Sequence, residues 1–127
     1  MITDKEQIKE AIDYVLSQEM YIRLTRDDFE KACPSPDYAI HVAGRSAAEA
    51  VKLLQIDLAI TGQQYLSGLV VYIKSMSMTM RELDMIQQSI PSACRFKQCM
   101  SFAKPDEGEV EIVLFAETVQ EKEEFQV

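Results

Sequence analysis

The sequence predicts a single α+β domain, and three observations carry that prediction. Capping-box start signals, Thr3 with Glu6, Ser46 with Glu49 and Thr79 with Glu82, each precede apolar residues at helical spacing. Between and after them lie short runs rich in β-branched and aromatic residues, at 38–43, 69–73 and 110–116, which read as strands. The 127 residues, 47% hydrophobic and 27% charged, suffice for one sizeable core and not for two.

Taken in order, Ile8, Ala11, Ile12, Val15 and Leu16 recur on one face of a helix predicted from about Asp4 to Gln18. A second start signal at Thr25, with Asp27 and Asp28 in the first turn, opens a short helix that must end before Pro34. Pro34 and Pro36 favour extended backbone and lead into the strand 38–43, which Gly44 breaks. Ala47, Ala50, Val51 and Leu54 give the next helix a small-residue face, followed by a predicted loop from about Asp57 to Ser67. The unbroken run Leu69 to Ile73 reads as a central strand buried on both faces. Met80, Leu83, Ile86 and Ile90 mark a helix that Pro91 stops. Cys94, Phe96, Met100 and Phe102 then alternate with polar residues, as a strand with one wet face requires. The turn cluster Pro105 to Gly108 predicts that this strand and 110–116 form a hairpin. The acidic segment from Glu117 onward reads as a fraying tail.

Charge and cysteine content exclude several classes of function. Thirteen basic against 21 acidic side chains give a net charge of −8, which disfavours nucleic acid and anionic membranes. No apolar run approaches the length of a membrane span, and the charged start does not read as a secretory signal, so a cytoplasmic protein is expected. Cys33, Cys94 and Cys99 are odd in number and form no CxxC pair, which supports neither a disulfide framework nor a metal site. Four glycines provide no phosphate-cradling loop. His41, the only histidine, lies mid-strand with no orienting carboxylate or nucleophile in view, and a structural imidazole is the favoured reading. No catalytic residue, metal or cofactor is expected. Asp27 and Asp28 are first read as helix-start electrostatics, and the alternating run Met76, Met78 and Met80 as either core filling or an adaptable partner surface.

Several strings in succession resemble the C-terminal domain of the cell-division protein FtsZ, a tubulin relative. GRSAAEAVKLL is similar to that family's GxnRAxEAxxxA helix, and LSGLVVYIK to its AkGvLxnItG strand. MTMRELDMIQQSI, CRFKQCMSF and GEVEIVLFAE follow in the family's order, and IKEAIDYVLSQEMYIRLTRDDFEKA, residues 8–32, resembles the end of its long core helix and the loop after it. The resemblance implies a split α/β sandwich of about four strands backed by helices on one face. It divides the chain into a core-helix-like segment 1–22, the domain proper at 23–118 and the tail at 119–127. The family's GTP-binding half has no counterpart in these residues, so no GTP site is implied. In the family's activating loop, Arg23 stands where it has Asn and Thr25 where it has the first Asp, while Asp28 fits the second. Catalysis supplied to a neighbouring subunit is therefore not implied.

Two functions from different classes remain in view. The leading expectation is a non-catalytic assembly module, linked to cell division or cytoskeletal filaments, that binds another copy or an FtsZ/tubulin-like protein. Its interface candidates are Arg23, Thr25, Asp27, Asp28, Met76 and Met78. The alternative is a small-ligand-binding or enzymatic homo-oligomer with a site between subunits.

Overall fold

The computed structural model describes residues 1–18, 24–61, 66–75, 79–90, 94–103 and 110–118, and of residues 61, 66, 67 and 94–103 the backbone only. Helix α1 (Lys5–Leu16) is capped by Asp4, whose side chain accepts the Gln7 amide, in place of the predicted Thr3. The reason lies one residue earlier. Ile2 exchanges both backbone hydrogen bonds with Ala39, at 2.7 and 2.8 Å, and this bridge holds the residues before Asp4 along the sheet edge.

The remaining elements are α2 (Arg26–Ala32), β1 (Tyr38–Gly44), α3 (Ala47–Thr61), β2 (Leu66–Lys74), α4 (Met80–Ser89), β3 (Cys94–Ala103) and β4 (Val110–Thr118). They form an α+β domain around a four-stranded sheet of order β1-β4-β2-β3. β4 runs antiparallel to both β1 and β2, and β3 runs parallel to β2. Strands β1, β2 and β3 therefore all point the same way, joined by crossovers through α3 and α4, while β4 is inserted between the first two.

That order overturns the predicted hairpin of 94–103 with 110–116. β2 lies between those segments, so they do not pair with one another. Burial accounts for the outcome. Alternate residues of β4 turn to opposite faces, Ile112 and Leu114 to one and Val113 and Phe115 to the other, and none of the four is exposed. Full burial of each such side chain favours folding by about 1.5–3 kcal/mol, and between β1 and β2 the strand gains it on both faces.

Helices cover both faces, not the one implied by the resemblance. α3 and α4 close one face, with Leu54 and Ile86 packed over Ile40, Val71 and Leu114. α1 and α2 close the other, with Val15, Leu24 and Phe29 over Val70, Val113 and Phe115. The predicted loop from Asp57 is also corrected, because α3 continues to Thr61. Leu58 extends the buried side of the helix and packs against the core, which favours continuing it beyond Asp57.

Candidate functional site

The start of α2 is built from local sequence. Thr25 is the N-cap: its Oγ1 accepts the Asp28 amide at 3.1 Å, and Asp28 Oδ2 accepts the Thr25 amide at 3.3 Å, a reciprocal capping box. Leu24 precedes the cap and Phe29 follows four residues after it, the two positions of a hydrophobic staple, and both are buried in the same cluster. Cap and staple together fix the angle at which the chain enters the helix. The Phe29 ring meets Phe115 edge-on, centroids 5.0 Å apart, which seats this short helix on the sheet.

The sequence candidates separate into distinct roles at this point. Asp28 and Thr25 engage each other. Asp27 projects to solvent and pairs with Lys31 at 3.0 Å, raising the lysine's pKa through that hydrogen bond and its charge. Arg26 Nη2 lies 2.9 Å from Asp13 Oδ1 and ties α2 to the last turn of α1. Both partners are more than half exposed, so the pair contributes orientation more than stability. Arg23, Met76 and Met78 lie outside the described residues.

A second polar cluster, not anticipated from the sequence, lies on the face covered by α1. Glu111 of β4 is its centre. Its Oε1 accepts the Tyr14 hydroxyl of α1 at 2.7 Å, and its Oε2 lies 3.0 Å from His41 Nε2 of β1. The carboxylate that His41 was read as lacking is thus supplied from 70 residues away. Tyr14 also lies against the imidazole, with ring centroids 5.8 Å apart. Lys74 of β2 donates to Gln18 Oε1 at 3.2 Å. Burial raises the pKa of Glu111, but the hydrogen bonds from His41 and Tyr14 and the charges of His41 and Lys74 outweigh it, leaving the carboxyl below its ordinary value. The available signal was that His41 and Glu111 each interrupt an apolar strand; which face they share depends on the β1–β4 register.

Tyr72 completes the cluster from β2. It is fully buried, and its hydroxyl has no hydrogen-bond partner among the described residues. Burial, followed by the nearby Glu111 and Tyr14, raises its pKa far above that of a free phenol. Tyr72→Phe is expected to leave stability unchanged or to raise it by up to about 1 kcal/mol, because removing an unsatisfied buried hydroxyl removes its desolvation penalty. Urea unfolding measures this, and a loss above about 1 kcal/mol would mean that the hydroxyl makes a bond.

Among the described residues, no group of three or more His, Cys, Asp or Glu could hold a metal ion, and no helix is long and apolar enough to cross a membrane. No protein-family model matches the chain, and no curated protein matches it in sequence. Solved structures do match in fold. A tryptophan-to-tyrosine mutant of FtsZ from M. jannaschii superposes with a TM-score of 0.63 at 14% identity, covering 91% of this chain and 39% of that one. An empty FtsZ dimer from the same organism gives a TM-score of 0.53 at 12% identity, covering 87% of this chain and 35% of that one. The chain thus spans well under half the length of the FtsZ structures it matches. At such identity the likeness establishes the fold alone, and that fold is the α+β domain of the FtsZ C-terminal type.

Proposed function

We propose that this chain is a non-catalytic assembly module, connected with cell division or cytoskeletal filaments, that binds an FtsZ/tubulin-like protein through the start of α2. The observation that carries the proposal is the FtsZ-like fold over 91% of the chain, in which the segment resembling the family's subunit-contacting loop leads into a firmly capped, exposed helix start. One of the matching FtsZ structures is a dimer, which supports a fold suited to assembly. A preorganised contact surface loses little conformational freedom on binding, and the capping box supplies that preorganisation.

Co-sedimentation with polymerised FtsZ tests the proposal. The wild-type chain is expected to pellet with the polymer, and Asp27→Lys to weaken binding roughly tenfold, equivalent to about 1.4 kcal/mol. Asp27 is the informative position because its carboxylate faces solvent, whereas changing Asp28 would also break the cap. Lys52→Glu on the exposed side of α3 is the charge-reversal control and should bind normally. A wild-type chain that stays in the supernatant at all polymer concentrations, and that sediments as a monomer alone, would refute the proposal.

A further inference from the structure

We infer that Glu111 is a positioning residue for the start of α2, acting through Tyr14 and the adjoining Asp13–Arg26 pair; the inference rests on the reading of that helix start as an interface. Among the described residues, the hydrogen bonds of Glu111 go to Tyr14 and His41 and not to α2. What it does touch is the last turn of α1, the element to which α2 is tied.

The geometry is directional. Tyr14 and Asp13 are consecutive in that turn, and consecutive helical residues point in different directions. Tyr14 turns to the sheet, where its hydroxyl donates to Glu111. Asp13 turns outward, where its carboxylate holds Arg26. The rotation of α1 about its own axis is therefore set on one side by the carboxylate and transmitted on the other to the first residue of α2. A second tether, Lys74 to Gln18, acts at the same end of α1. The Tyr14 carbonyl meanwhile accepts from the Ser17 hydroxyl at 2.7 Å and from Gln18 Nε2 at 3.1 Å, which closes the end of the helix.

The groups facing Glu111 come from every element packed around it. Tyr14 comes from α1, His41 from β1, and Tyr72 and Lys74 from β2. Of these, Tyr14 and His41 bond to its two oxygens. The carboxylate is mostly buried, with 18% of the side chain exposed. A part-buried carboxylate bonded at both oxygens holds its partners more firmly than a solvent-exposed ion pair does, because water replaces a lost partner less completely there. By this comparison Glu111 rather than the surface pair Asp13–Arg26 dictates where α1 lies.

Amide hydrogen exchange on the folded chain, with Glu111→Gln, Glu111→Ala and Tyr14→Phe, tests the inference. Glu111→Gln keeps an oxygen acceptor for Tyr14 and preserves shape, so it guards against simple misfolding. Exchange at residues 15–18 and at the hydrogen-bonded amides 28–32 is expected to quicken roughly tenfold in Glu111→Ala and Tyr14→Phe and less in Glu111→Gln, while the interior amides of β2 and β4 keep their protection. Tyr72→Phe, which removes a hydroxyl from the same cluster without breaking a bond, should change nothing at 28–32. A double-mutant cycle supplies the readout that a purely structural role would not move. Glu111 and Arg26 do not bond to one another, yet the effects of Glu111→Gln and Arg26→Gln on exchange at 28–32 are expected to fall short of multiplying. Unaltered exchange at 28–32 in Glu111→Ala and Tyr14→Phe with the sheet intact, or effects of Glu111→Gln and Arg26→Gln that multiply freely, would overturn the inference. Faster exchange at 28–32 without any change in FtsZ co-sedimentation would uphold the positioning role and count against the interface.

Discussion

Phe115→Ala is expected to destabilise the domain by about 3–5 kcal/mol, the usual cost of emptying a large aromatic site in a closed core. Phe115 is fully buried on an interior strand, between β1 and β2, so no neighbouring loop can collapse into the vacancy. It is also the ring against which Phe29 stands edge-on, and α2 is only seven residues long. A helix of that length has little stability of its own, so the substitution should loosen α2 as well as the sheet. Equilibrium unfolding in urea measures the effect, and it is a large fraction of the roughly 5–15 kcal/mol that holds a domain together. A loss below about 1 kcal/mol would show that Phe115 is not packed as described.

Gly68→Ala is expected to cost about 2–3 kcal/mol, at the upper end of the range for overpacking. A Cβ at Gly68 would collide with the Ala32 carbonyl oxygen and lie 3.2 Å from Cys33 Cα. Both obstacles are backbone, so no side chain can swing aside, and the end of α2 must lift from β2. This is where a glycine is required by close approach rather than by its dihedral angles. The melting temperature should fall by roughly 8–15 °C for a chain of this size. An unchanged melting temperature would mean that α2 does not end against β2.

Much of this architecture was legible because it is written locally. The start signal at Thr25 and the capping box of Thr79 with Glu82 each lie within a few residues of sequence, and α2 and α4 begin just after Thr25 and Thr79 as those signals predict. That Asp28 completes a second capping box with Thr25 is seen only in the structure. The unbroken run 69–73 lies in an interior strand because five apolar residues in extended backbone must be covered on two sides.

What failed depended on partners distant in sequence. A turn cluster at 105–108 pointed to a hairpin, yet β4 carries apolar residues on both faces and is drawn between β1 and β2. Asp4 displaced Thr3 as the cap because Ile2 pairs with Ala39, a contact no local pattern encodes. The Glu111 cluster joins residues 14, 41 and 111, and only the register of β1 on β4 brings the last two to the same end of one face. Even so, the deviations of His41 and Glu111 from otherwise apolar strands marked where the polar contact had to lie.

The central claim, that the start of α2 meets an FtsZ-like partner, is tested most directly by site-specific photo-cross-linking. A photoreactive amino acid replaces Asp27, whose side chain is 73% exposed and next to the capping pair, and in a second chain it replaces Lys52 on α3. With polymerised FtsZ present, position 27 is expected to yield a covalent adduct with the partner and position 52 none. Adduct formation at 52 but not at 27, or at neither, would contradict the assignment of this helix start as the contact surface.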